Sequence, residues 1–233
     1  LEDAGIAPER LSGSRTGVFI GVMWNDYAQM QTRNPSGIDA YTGSGNGFFM
    51  TANRLSYRFN FQGPSLAVDT GCSSSLVAVH LACQSLYSGE STMALAGGAN
   101  IILEPGASIF YTKAGLIAAD GRCKSFDAGA DGIVRGEGVG VVVLKLLSQA
   151  LADGDPVYAI IRGNAVNQDG LTNGVTAPSQ RAQEAVLREV YQKAGVCPSQ
   201  VQYVETHGTG TLLGDPIEAK ALGAVMGIGR PAA

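Results

Sequence analysis

Charged residues are scarce in this chain: they make up 15% of its 233 residues, and the formal net charge is only −4. An ordinary globular protein carries about a quarter. No lysine or arginine run appears, and basic residues do not interleave with aromatics, which speaks against a nucleic acid partner. Long apolar runs are missing too. Stretches such as Val139 to Leu144 fall far short of the roughly 20 residues that cross a bilayer, so membrane insertion is excluded. The four cysteines, at 72, 83, 123 and 197, form no CxxC pair and no dense framework. That sets aside a zinc site and fits free thiols in a reducing, cytoplasmic setting. No GxxxxGK[ST] loop exists, and Gly136-Glu137-Gly138-Val139-Gly140 lacks the third glycine at dinucleotide spacing, so phosphate cradling has no support.

What the chain does hold is 45% apolar residues and 32 glycines, enough to bury a large core and too apolar for a disordered tail. Apolar runs at Gly17 to Val22, Ser65 to Val68, Met93 to Leu103, Val139 to Leu147, Val157 to Arg162 and Val201 to Glu205 predict strands. Helices are expected at Asn46 to Phe59, with Phe49, Ala52, Asn53 and Ser56 on one stripe, and at Ser73 to Ser88, Arg181 to Ala194 and Pro216 to Met226. The Ser73 to Ser88 helix is apolar nearly all round, as expected of one sunk in the core, and Gly89 and Gly195 serve as stops. Alternating strands and helices predict a layered α/β architecture with covered sheets. Residues 118–131 form a long polar loop, functional or structured by its own side chains. Leu1-Glu2-Asp3-Ala4-Gly5 reads as the last helical turn before a C-cap glycine, no start methionine or signal segment is present, and only Gly227 to Ala233 follow the last helix. The expectation is an excerpt of a larger protein, inactive alone, with apolar sheet faces left open.

Three places carry chemistry. Cys72 lies where the strand Ser65 to Val68 turns into the apolar helix; first-turn amides and the helix dipole favour negative charge on its sulfur and a lowered thiol pKa. Gly71 permits the tight turn, Ser73 to Ser75 keep the approach open and cap the helix, and amides from Cys72 onward are placed for an oxyanion. The alternative is a buried structural cysteine. His207 sits where Val201 to Glu205 runs into the Gly/Thr loop Gly208-Thr209-Gly210-Thr211, the kind of position where α/β proteins hold working groups; a loop histidine satisfied by a hydroxyl is the alternative. Asp215 and Glu218, i and i+3 at a helix start, either cap that helix or serve the site. His80 is about 12 Å along the helix from Cys72 and reads as a core histidine, leaving His207 as the one imidazole partner in this chain, to be brought in across 135 residues.

Val68-Asp69-Thr70-Gly71-Cys72-Ser73-Ser74-Ser75-Leu76, then Lys124-Ser125-Phe126-Asp127 with Asp131-Gly132 and Arg135-Gly136-Glu137-Gly138, then Glu205-Thr206-His207-Gly208-Thr209-Gly210-Thr211 with Gly214-Asp215-Pro216-Ile217-Glu218, together resemble the ketosynthase domain of modular type I polyketide synthases, a β-ketoacyl synthase of the thiolase superfamily. The resemblance spans essentially the whole chain in the family's order. It implies a thiolase-like αβαβα layered fold, of which residues 1 to about 150 would be most of the N-terminal half and about 151–233 the start of the C-terminal half. It also implies a homodimer working with an acyl carrier protein, an acyltransferase and other modules of one multienzyme.

By the same resemblance Cys72 receives the growing acyl chain and His207 is the first of two catalytic histidines, with Gly71, Ser73, Thr209, Thr211, Asp215 and Glu218 in support. The reaction is a decarboxylative Claisen condensation with a malonyl-type extender; no metal or nicotinamide is implied, and the phosphopantetheine arm belongs to the carrier protein. Two departures stand out: Gly71 replaces the family's usual alanine, which should loosen the turn, and the second histidine with the other oxyanion loop would lie beyond Ala233. A fatty-acid synthase condensing domain and a non-elongating acyl-transfer or binding module remain as alternatives. A papain-type hydrolase fits less well, since serine rather than an aromatic follows Cys72.

Overall fold

The computed structural model describes residues 1–227. In chain order its main elements are β1 (Thr16–Gly21), α1 (Asp26–Thr32), α2 (Thr42–Asn46), α3 (Phe49–Phe59), β2 (Ser65–Val68), α4 (Ser74–Ser88), β3 (Met93–Asn100), α5 (Gly106–Lys113), β4 (Gly138–Leu144), α6 (Leu147–Asp153), α7 (Gln180–Ala194) and α8 (Gly214–Met226). The chain divides into two compact units: 1–104 with 136–160, and 105–135 with 161–233.

The first unit is built on a four-stranded sheet of order β2-β1-β3-β4, with β1 parallel to β2 and β3, and β4 antiparallel to β3. All six residues of β1 are buried, as its unbroken apolar run predicts for a strand covered on both faces. Successive side chains serve opposite faces. Phe19 joins Ala78, Ala82 and Leu86 of α4 with Ala94 and Ala96, whereas Val18 and Ile20 join Ala52, Phe61 and Leu95 on the other face. α4 therefore spends its small residues on the sheet, but it is not wholly sunk: Leu76 and Tyr87 are 75% and 69% exposed. Composition alone could not show this, because the helix has only one face turned to this sheet.

Two further expectations need correction. The predicted helix at 46–59 is broken at Gly47 and Phe48, and its packing stripe is Ala52, Leu55 and Phe59, while Phe49 is 56% exposed. Segments 157–162 and 201–205 are not strands among the described residues. An apolar run signals a demand for burial, but a strand also needs a partner to complete its hydrogen-bond ladder, and Tyr158, Ile160 and Tyr203 are exposed instead. At the start of the chain, Ile6 N–H bonds Leu1 C=O and Gly5 N–H bonds Glu2 C=O, the paired bonds of the helix end expected there. The expected absence of a strand in the tail concerns residues of which 228–233 lie outside the described ones. In the second unit, α7 and α8 pack together, with Arg188 reaching Ala224 C=O.

Close approach of α4 to the strand ends sets the position of Cys72. A Cβ on Gly21, the last residue of β1, would stand 2.6 Å from Ser75 N and 2.7 Å from Ser74 C, and one on Gly98 would stand 2.9 Å from Ser75 Cβ. Only hydrogen in place of a side chain lets the first turn of α4 sit this low. Gly21→Ala is expected to cost about 1–3 kcal/mol, the scale of overpacking against backbone. Thermal melting measures this, and an alanine variant with wild-type melting would mean that the helix end has slack.

Candidate active site

β2 ends at Val68, and the next six residues make a turn held almost wholly by its own polar groups. Asp69 accepts from Gly71 N–H at 3.1 Å, and Ser74 Oγ accepts from Thr70 N–H at 2.9 Å and donates to Gly71 C=O at 2.6 Å. Ser73 Oγ donates to Thr70 C=O at 2.9 Å and pairs with the Thr70 hydroxyl. The serines thus brace the turn instead of capping α4. Ser73 occupies the cap position in helical conformation, φ −85° and ψ −2°, whereas side-chain capping normally needs extended backbone there. Gly71 has φ +69° with no atom within 4 Å of where a Cβ would lie, so the glycine relieves backbone strain rather than opening a gap in the packing.

Cys72 is exposed at the mouth of α4, not buried. Ser74 N–H is already taken by Gly71 C=O at 3.1 Å, and the first bond into the helix proper is Val77 N–H to Ser73 C=O at 2.9 Å. The amides of Ser75 and Leu76 lie between them, at the positive end of the helix. Elsewhere, burial pushes the Cys83 thiol up, while a hydrogen bond with Ser199 draws the exposed Cys197 thiol down.

His207 lies in the second unit, in a loop whose polar backbone is held from two sides. From the start of α8, Glu218 accepts His207 N–H at 2.6 Å and Gly208 N–H at 2.8 Å. Asp215, 4% exposed, accepts Gly210 N–H at 3.0 Å, the Thr209 hydroxyl at 3.3 Å, and Phe126 N–H at 2.6 Å. Neither carboxylate caps α8. The N-cap position is Leu213, without a side-chain cap bond, and Thr211 Oγ accepts from Gly214 N–H at 3.0 Å while pairing with Thr209 Oγ at 2.9 Å. The Gly210 amide is buried, so removing Asp215 would orphan it at a cost of about 1–3 kcal/mol.

The loop's other side is the polar stretch 118–131. Gly132 N–H donates to Gly210 C=O at 2.8 Å, the Ser125 hydroxyl donates to Gly208 C=O, and the Cys123 thiol lies 3.5 Å from Gly208 C=O and 3.4 Å from Thr209 C=O. Lys124 braces the stretch through Asp120 at 2.8 Å and Asp131 at 2.7 Å, and those bonds hold its ammonium above the ordinary lysine range. Phe126 takes a left-handed φ of +61°, a strain that the Asp215 bond to its amide helps hold. The contacts of Cys123 and Ser125 could not be read from spacing, although Lys124-Ser125-Phe126-Asp127 stood out as a motif. His80 is half-buried on α4. Among the described residues no group of His, Cys, Asp or Glu is placed to hold a metal, and no helix is long and apolar enough to cross a membrane.

Of the residues singled out in sequence, Gly71, Cys72 and Ser73 therefore form one constellation, and His207, Thr209, Thr211, Asp215 and Glu218 a second. Residues 1–150 match the family model "Beta-ketoacyl synthase, N-terminal domain" and residues 158–233 match "Beta-ketoacyl synthase, C-terminal domain". The chain belongs to the β-ketoacyl synthase family. It is 55% identical over 229 residues to one polypeptide of the phenolphthiocerol/phthiocerol polyketide synthase of Mycobacterium tuberculosis, covering 98% of this chain and 15% of that protein. To polyketide synthase GfsB of Streptomyces halstedii it is 51% identical, over 99% of this chain and 4% of that protein. Among solved structures, the ketosynthase from module 6 of the bacillaene synthase of Bacillus subtilis 168 matches with a TM-score of 0.90 and 45% identity, over 97% of this chain and 39% of that one. The oxazolomycin ketosynthase domain OzmH KS7 of Streptomyces albus JA3453 matches with the same TM-score at 44% identity, again over 97% and 39%. The fold is thus the thiolase-like α/β fold of these ketosynthases, and the chain spans well under half the length of its relatives.

Proposed function

We propose that this chain forms part of a polyketide-extending ketosynthase in which Cys72 is the acyl-carrying nucleophile and His207 an enolate-stabilising donor. The observation that carries the reading is the exposed Cys72 sulfur at the positive end of α4, in a chain of this family. Attack of the Cys72 thiolate on an acyl thioester forms a new carbon–sulfur bond and releases the phosphopantetheine thiol of an acyl carrier protein. A malonyl-type extender on a carrier then loses carbon dioxide. The electron pair of the broken carbon–carbon bond becomes an enolate, whose oxygen takes a hydrogen bond from the His207 imidazole. The enolate carbon attacks the Cys72 thioester, forming the carbon–carbon bond of a β-ketoacyl product and returning the cysteine thiolate.

In this reading Gly71 and Ser73 shape the turn under Cys72, and Thr209, Thr211, Asp215 and Glu218 hold the loop of His207. The two family models meet between residues 150 and 158, which supports halves of about 1–150 and 151–233. A carrier protein, neighbouring domains of one multienzyme, a homodimer and a cytoplasmic setting belong to the same proposal. A complete ketosynthase carrying this sequence, given an acyl thioester and a malonyl carrier, should release carbon dioxide and yield the β-ketoacyl product. Acyl transfer without carbon dioxide would point to a pass-through module, and a fully reduced acyl chain from the parent enzyme to fatty-acid synthesis.

A further inference from the structure

The backbone of the His207 loop is pinned at successive peptides, and four of the seven pins come from a segment with no role in the chemistry above. Going along the chain, the peptide before His207 is held through His207 N–H, and the next through Gly208 N–H, both by Glu218. The peptide after Gly208 is held through its carbonyl by the Ser125 hydroxyl and the Cys123 thiol. The one after Thr209 is held at both ends, by Cys123 on the carbonyl and Asp215 on Gly210 N–H. Gly132 N–H takes the carbonyl of Gly210. From His207 to Gly210, these backbone donors thus go to α8 and these acceptors to 123–132.

A peptide held at one end only still rotates about its Cα atoms, and glycines at 208 and 210 impose little resistance of their own. Fixing Gly208 C=O removes the rotation between Gly208 and Thr209. Glu218 holds the two peptides that flank His207 through their N–H groups alone, at His207 and Gly208, so each keeps some freedom to tilt; anchoring the next peptide at Gly208 C=O holds the chain on both sides of Gly208 and narrows the Cα–Cβ direction of the exposed His207. An electrostatic donor works only if its direction is set before charge develops, since reorientation during the reaction would raise the barrier.

We propose that Ser125, assisted by Cys123, is a positioning residue for His207, acting through the carbonyl of Gly208. This rests on the reading of His207 as the enolate-stabilising donor. The test uses a complete ketosynthase carrying this sequence, with acyl loading of Cys72 and carbon dioxide release from a malonyl carrier measured separately. Ser125→Ala should load normally and release carbon dioxide about tenfold more slowly, about the worth of one hydrogen bond of alignment. Ser125→Thr, which keeps the hydroxyl, should restore the rate. Cys123→Ala should show the same split at about threefold, and serves as the test if Ser125→Ala does not fold.

A Ser125→Ala enzyme that decarboxylates at the wild-type rate beside an inactive His207→Ala enzyme would overturn this inference alone. So would loading and decarboxylation falling in equal proportion, which marks a merely structural residue, or a threonine variant no better than alanine. With Ser125→Ala unfolded, a Cys123→Ala enzyme with wild-type loading and decarboxylation would overturn it too. A wild-type decarboxylation rate in His207→Ala would instead overturn the reading of His207, and this inference with it.

Discussion

Replacing Cys72 with alanine in a complete ketosynthase carrying this sequence should lower acyl loading by roughly a thousandfold or more, the scale of losing a nucleophile. Mass spectrometry of the protein after incubation with an acyl thioester measures it directly: the wild type gains one acyl group on the peptide containing Cys72, and the variant gains none. The expectation rests on place as much as on identity. Cys123 and Cys197 are also exposed, so accessibility alone would allow three acylated thiols. Only Cys72 stands before the amides of a fifteen-residue helix, on a turn held rigid by Asp69, Ser73 and Ser74. Cys123 is engaged with the carbonyls of Gly208 and Thr209, and Cys197 starts a short turn ending at Gln200. A Cys72→Ala enzyme acylated at either of those thiols at the wild-type rate would remove the assignment.

His207→Ala should separate the two half-reactions. Loading should stay within about threefold of wild type, because transfer to Cys72 is assigned to the sulfur and the amides around it. Decarboxylation and condensation should fall by about a hundred- to a thousandfold, as when a preorganised oxyanion donor is removed. The substitution is a clean probe because the loop is held by backbone groups: Glu218 binds the amides of residues 207 and 208, which alanine retains. A collapse of the loop is therefore not expected, and an unchanged melting temperature would confirm that the lost rate belongs to the imidazole. Condensation at the wild-type rate would show that His207 has no part in the chemistry.

Much of this protein is legible residue by residue. The apolar run of β1, the α4 limits with a stop at Gly89, and the α7 limits with a stop at Gly195 follow from patterns within a few neighbours, and the structure places them within a residue or two of expectation. The motifs around Cys72 and His207 were equally visible, because a reactive group and the small residues beside it are contiguous in the chain. Where reading failed, the missing information was distant. Ser73 looked like a cap and is a brace, since its backbone angle depends on how the turn folds back on Thr70. For Asp215 and Glu218 the sequence left two readings open, helix cap or service to the site, and only the structure shows their oxygens going to loop amides.

Five of the seven residues of β4 are exposed, so the expectation of a covered sheet fails at that edge. Order along the chain was thus enough to place β1, β2, α4 and α7 and to mark the candidate reactive residues. Those depend on propensity, periodicity and short-range turns, whose causes lie within one or two turns of helix. The strand order β2-β1-β3-β4, the descent of α4 onto Gly21 and Gly98, and the hold of residues 123–132 on the His207 loop appeared only in three dimensions. Ser125 and Gly208 are 83 residues apart, and Phe126 and Asp215 are 89. Nothing in the local preferences of either partner names the other; packing of the whole chain selects the pair, because each polar group taken from water must find an acceptor or donor wherever the fold puts one.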